Sequence, residues 1–180
     1  MPGYYTYLIS SLPMLHFGMK PPFSFEKFLR ICRGIIPGSD IHILETVSRA
    51  GEYACESAQP QAQPQAGDIP LAEKRWRTFD TALRNELVKI RAARKGLDPL
   101  KYIRRDGYAD PSITHIAINV HRNLSILEAE RTLDQERWRV LDELATGHYF
   151  DIDSLIVYAH KLLILERWES IRGVDKPRFC

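Results

Sequence analysis

Apolar positions recur at helical spacing along most of this chain, and no segment shows the sustained alternation with polar residues that marks a strand. In the opening MPGYYTYLISSLPMLHFGM, residues Tyr5, Leu8, Ile9 and Leu12 keep the i, i+3, i+4, i+7 spacing of one helical face, and Pro13 ends or bends that helix. SFEKFLRICRGII follows, with Ser24 as candidate N-cap and Phe25, Phe28, Leu29 and Cys32 on one face. DIHILETVSRAGEYA starts a third helix at Ser39 or Asp40 and sets Ile41, Leu44, Val47 and Ala54 near one side.

The strongest pattern comes next. Trp76, Phe79, Leu83, Leu87 and Ile90 form an apolar stripe through a charged helix from about Pro70 to Lys95, with Gly96 where a C-terminal cap belongs. A weaker helix follows Asp110-Pro111, with Ile113, Ile116, Ala117 and Val120 in step. Ser125-Ile-Leu-Glu128 fits a capping box, opening a helix to about Thr146 whose inner face is Leu133, Val140, Leu141 and Leu144 and whose end is Gly147. Asp151 or Asp153 caps a last helix, Leu155 to Arg172, apolar on most sides over LIVYAHKLLIL and stopping at Gly173. The fold class is therefore all-α, a multi-helix bundle of about six to seven amphipathic helices. Trp76, Trp138 and Trp168 come one from each of its three strongest helices and are expected to fill one core or the edge where two helices meet.

Composition divides the chain. QPQAQPQAG, residues 59–67, lacks a large apolar side chain and reads as a flexible connector between an N-terminal helical part, 1–58, and a C-terminal bundle, 68–180, that packs with it. The net charge of +2 says little, but its distribution says more. Residues 73–105 hold eleven Lys/Arg against four Asp/Glu, a balance of +7, and residues 106–180 hold nine against thirteen, a balance of −4. Complementary pairing within the chain accounts for this better than a nucleic-acid footprint, which shows a more strongly basic domain. Cys32, Cys55 and Cys180 are odd in number and show no metal-ligand spacing, so a reducing compartment is expected and neither a disulfide framework nor a zinc module. The first 19 residues carry no charge, yet they lack the basic start and cleavage site of a signal peptide, and Thr6, Ser10, Ser11 and His16 make them too polar to span a bilayer.

Phosphate loops, nucleophile elbows, zinc-protease helices and dinucleotide fingerprints are all missing, so no catalytic residue, metal or cofactor is assigned. The best site candidate is GHYFDID, where His148, Asp151 and Asp153 have the chemistry of a base or of metal ligands, as in a metal-dependent hydrolase. The competing reading makes Gly147 a helix C-cap, Tyr149 and Phe150 an interhelical plug, and the two aspartates N-cap and first-turn carboxylates. His115 and His121, six apart, face different sides of a helix, and His160 sits in an apolar helix as a core histidine. Arg77, Arg84 and Arg91, seven apart and continued by Lys95, draw a basic line along the long helix that suits an acidic partner surface.

Four stretches, YYTYLISSLPML, FDTALRNELVKIRAAR, EAERTLDQERWRVLDELATGHYFD and LIVYAHKLLILERW, together resemble a family of bacterial proteins of unknown function encoded within V-type (A/V-type) ATPase operons. The opening is also similar to the start of the C/d-type component of that ATPase, although Ser11 and Pro13 stand where that all-helical protein continues a basic helix. The resemblance implies a noncatalytic structural or assembly subunit, of the kind that seats the central shaft on the membrane rotor ring. Its partners would be shaft and rotor-ring subunits; the family supplies no contact residues, and the residues themselves offer the Arg77, Arg84, Arg91 and Lys95 ridge for acidic shaft helices and Tyr5 and Tyr7 of the uncharged N-terminus as a buried anchor. Such a protein would be cytoplasmic and peripheral to the inner membrane through the complex, with no direct membrane insertion. The alternative is a standalone helical module that binds nucleic acid or an acidic protein through its basic 74–105 segment.

Overall fold

The computed structural model describes residues 3–52, 69–104 and 110–174. Among them the chain is all-α: α1 Gly3–Ser11, α2 Phe25–Arg33, α3 Gly38–Glu52, α4 Leu71–Lys95, a 3-10 turn Pro99–Lys101, α5 Pro111–Arg122, α6 Ile126–Ala145 and α7 Ile152–Val174. The helices fall close to where periodicity and caps predict them. Ser24 accepts the Lys27 N–H at the start of α2, Asp110 accepts the Ser112 N–H at the start of α5, and Gly96 and Gly147 adopt φ of +64° and +87° beyond the ends of α4 and α6. The last helix does not stop at Gly173 but includes it. The 59–67 connector lies outside the described residues.

Two compact units emerge, and their boundary is not the connector. Unit 1 joins Met1–Ala72 to Ala145–Cys180, and unit 2 is Glu73–Leu144. The last helix therefore groups with the N-terminal helices rather than with the rest of 68–180, because α7 is apolar nearly all round and needs cover on several sides. The tryptophans are all buried, but Trp76 and Trp138 belong to unit 2 and Trp168 to unit 1.

In unit 1, α2, α3 and α7 pack on one another around Leu8, Phe28, Leu44, Val47, Leu155, Ile156, Leu162 and Leu165, all fully buried. The uncharged opening is part of this core. Tyr5 and Leu8 of α1 are buried, Leu15 follows them in, and the irregular segment after α1 is tied down by Tyr158 donating to the Pro13 carbonyl (3.1 Å) and Arg172 to the Gly18 carbonyl (3.0 Å). The Phe25 N–H donates to Glu166 Oε1 at 2.9 Å, so a carboxylate on α7 satisfies a first-turn donor of α2.

Among the described residues of unit 1, burial acts on three weak acids. Burial pushes the Cys32 thiol up to about 12. Burial also raises the Tyr158 phenol, with the neighbouring Cys32 adding to it, and raises Tyr5, whose hydroxyl also donates to the Asp40 carboxylate. Each folded value lies above the unfolded one, so the folded state holds protons that the unfolded chain releases. The stabilisation is complete below about pH 8.5 and is lost as pH climbs through the Cys and Tyr range. Urea midpoints should thus fall steadily from about pH 9 upward; a midpoint unchanged to about pH 11 would contradict this.

Unit 2 is built on Ala82, Leu83 and Leu87 of α4, Ile113, Ala117 and Val120 of α5, and Leu133 of α6, with Phe79, Ile90, Ile116 and Ala129 packed around them. The link from α4 to α5 is pinned by a side chain. Asn85 is buried, its Nδ2 donating to the Arg104 carbonyl at 2.8 Å and its Oδ1 accepting the Arg104 N–H at 3.0 Å. Asn85→Leu removes both bonds and is expected to cost about 1–2 kcal/mol. It should also speed hydrogen exchange of the Arg104 amide, whereas exchange at wild-type rate would show that the pair does not hold the link.

Candidate functional site

The GHYFDID segment joins α6 to α7. Gly147 takes the left-handed conformation that ends α6 and releases His148, and Asp151 caps α7 by accepting the Ser154 N–H on Oδ1 at 2.9 Å while Ser154 Oγ returns a bond to the Asp151 carbonyl at 2.8 Å. His148 Nδ1 lies 2.6 Å from Asp151 Oδ2 and 3.6 Å from Asp153 Oδ2. Carboxylate oxygens accept, so the contact is a hydrogen bond in the ring form that carries a proton on Nδ1. Asp153 Oδ1 accepts the N–H of Ala72 at 3.0 Å, in the first turn of α4.

The structure thus brings together the three residues singled out as a possible base or ligand set. Their ligand atoms lie within 4.8 Å of one another, and all three side chains are half-buried. Each aspartate nevertheless commits one oxygen to a first-turn N–H and presents its other to His148. The arrangement is chemically a clasp: it fixes the start of two helices and holds an imidazole between two carboxylates. Tyr149 and Phe150 do not plug the helix junction as expected. Tyr149 is 70% exposed and Phe150 38%, because the turn is occupied by its own polar bonds and turns both rings outward.

The other nominated residues separate. Tyr5 is buried with its hydroxyl on Asp40, which removes it from the surface, while Tyr7, two residues on, is exposed. Arg77 pairs with Glu73 (2.6 Å) and Arg84 with Asp80 (2.7 Å), each with a carboxylate one turn back on the same helix. Arg91 and Lys95 are exposed. The basic line is therefore half committed within α4 and half open. His115 and His121 are exposed on α5, and His160 is buried, as a core histidine should be.

Two arrangements escaped periodicity. Arg137 on α6 reaches Asp134 (2.9 Å) and Asp80 (3.3 Å), and Glu86, buried on α4, meets Lys89 (2.5 Å) and Thr114 of α5 (3.2 Å). Polar side chains buried in this way leave no mark in a pattern of apolar positions. The only available signal was Asp80, Asn85 and Glu86 lying close to the apolar stripe of α4.

The chain is similar over residues 112–176 to a family described as a protein of unknown function, DUF2764. The match takes in α5 beyond its first residue, α6, the GHYFDID clasp and α7. No curated protein and no solved structure matches the chain.

Proposed function

We propose that the chain is a noncatalytic structural or assembly subunit of a bacterial V-type ATPase, a C/d-type socket between the central shaft and the membrane rotor ring. The observation that carries this reading is the order of LRNEL, AER, RW..LDEL..GHYFD and KL.ILERW along the chain, the last three of which fall inside the DUF2764 match. The architecture suits it. A torque adaptor needs stiff helices and contact patches rather than a reactive centre, and α4, α6 and α7 run for 25, 20 and 23 residues. No helix among the described residues is long and apolar enough to cross a membrane, so a rotor-ring seat would lie outside the hydrocarbon.

The test is a tagged pull-down from the native host at low salt in mild detergent, with mass spectrometry of the copurifying chains. Catalytic, shaft and rotor-ring subunits should appear in fixed proportion. Recovery of nucleic acid, or of nothing while the ATPase stays intact in the same extract, would overturn the reading and favour a standalone module working through its basic segment. For the basic line, Arg91→Glu with Lys95→Glu is the cleaner probe, since reversing Arg77 or Arg84 also breaks an ion pair within α4.

A further inference from the structure

We infer that the end of unit 2 where the α5–α6 turn meets the C-terminus of α4 is a contact surface for an anionic lipid bilayer. The pairings within the unit set its directions. Arg137 of α6 meets Asp80 of α4, and Leu133 and Ala129, further back on α6, join the cluster of Leu83 and Leu87. Residues earlier on α6 thus lie beside later residues on α4, the two helices are antiparallel, and Ile126 stands beside the last turns of α4. Thr114 of α5 bonds Glu86, and residues 123–125 alone join α5 to α6. That short link reaches Ile126 only if α5 runs parallel to α4, which puts the turn at the same end as Arg91 to Leu97.

Apolar side chains project from this end. Leu124 is fully exposed, Ile126 is 83% exposed, and Leu127 and Leu97 are about half exposed. Leu124 precedes the N-cap Ser125, where an apolar residue ordinarily folds back on the fourth helical residue; here that residue is Ala129, whose methyl offers little to hold it. Around these side chains Arg91, Arg94, Lys95 and Arg122 are exposed and make no ion pair among the described residues. Asp98, Glu128 and Glu130 are the acidic residues nearby in the chain; Asp98 is engaged by the Leu100 N–H, and Glu130 is half-buried and engaged as well.

The shape and the backbone select a bilayer over a protein groove. The leucines and isoleucine are exposed side by side along a short turn, and a lipid surface accepts such projections without a matching socket. The turn also satisfies its own main chain, with Asn123 Oδ1 accepting the Ser125 N–H (3.1 Å), Ser125 Oγ the Glu128 N–H (3.3 Å) and the Ser125 carbonyl the Ala129 N–H (2.9 Å). A segment entering the boundary between headgroups and acyl chains needs this, because water no longer solvates its amides. The four cations sit where anionic headgroups would lie, and the positive N-terminus of α6 adds to them. This contact is interfacial and independent of the ATPase reading.

Cosedimentation of the full chain with vesicles tests it. The chain should pellet with equimolar phosphatidylglycerol and phosphatidylcholine at low salt, not with phosphatidylcholine alone, and should release as salt rises. Leu124→Ser should weaken binding about tenfold, and Leu124→Ser with Ile126→Ser further, while Leu124→Met retains it. Both positions are exposed, so circular dichroism should be unchanged in every variant. Failure to pellet with the anionic vesicles, or equal binding by the double serine variant, would overturn the inference.

Discussion

Replacing Arg137 by methionine is expected to destabilise the protein by about 3–5 kcal/mol. The Arg137 side chain is 13% exposed and serves two carboxylates, Asp134 at 2.9 Å, itself 1% exposed, and Asp80 at 3.3 Å, which Arg84 also meets. Burial alone would lower its pKa, but the two negative charges and their hydrogen bonds outweigh burial and hold it above the ordinary arginine value. Methionine fills much of the same volume, so the loss is electrostatic: two carboxylates in a poorly solvated site lose their shared cation. Arg137→Lys keeps the charge but not the fork that spans both aspartates, and should fall between. Arg137→Met combined with Asp134→Leu should recover much of the loss, since it removes the more buried carboxylate together with the cation and leaves Asp80 paired with Arg84 at 2.7 Å. Urea unfolding read by tryptophan fluorescence in a Trp76→Phe, Trp168→Phe background, where Trp138 reports on unit 2, measures each step. A change below about 1 kcal/mol for Arg137→Met would mean that the aspartates' other partners, Arg84 for Asp80 among them, already hold their charge.

Helices were legible because their signals are local. Ser24, Asp110, Gly96 and Gly147 act within one turn of themselves, and each does what its position implies. The box at Ser125 shows the limit of such reading. Ser125 Oγ does accept the Glu128 N–H, but the Ser125 N–H goes to Asn123 Oδ1, a competing acceptor two residues away. What depends on tertiary choice stayed hidden: that α7 joins the N-terminal helices, that Asp153 reaches back to the first turn of α4, and that Asn85 holds Arg104. Of the candidate site, the residues of the His148, Asp151 and Asp153 clasp were readable, whereas the outward turn of Tyr149 and Phe150 was not. Hydrophobicity predicted burial there, and the polar bonds of the turn decided otherwise. Leu124, Ile126 and Leu127 likewise read as an ordinary helix start, because exposure is fixed by what else packs nearby.

Phe28→Ala should cost about 3–5 kcal/mol, comparable to the loss at Arg137 but in unit 1 and by a different mechanism. Phe28 is fully buried, stacks on Tyr158 at 5.3 Å between centroids and meets Phe25 at 6.0 Å. It also anchors α2, whose nine residues are too few to hold a helix in isolation. What keeps α2 helical is the buried face of Phe25, Phe28, Leu29 and Cys32, with Ser24 and Glu166 satisfying its first-turn donors. Alanine leaves a cavity against the Tyr158 ring, whereas Phe28→Leu refills part of it and should cost about 1–2 kcal/mol. Unfolding followed through Trp168 in a Trp76→Phe, Trp138→Phe background reads the loss in unit 1. The Tyr158 phenol separates two outcomes for the cavity. Its pKa is raised chiefly by burial, so water entering the space should bring its ionisation back toward about 10, while collapse of the surrounding chains should keep it high. A loss below about 1 kcal/mol would contradict the role given to Phe28 and place the cohesion of α2 in its caps.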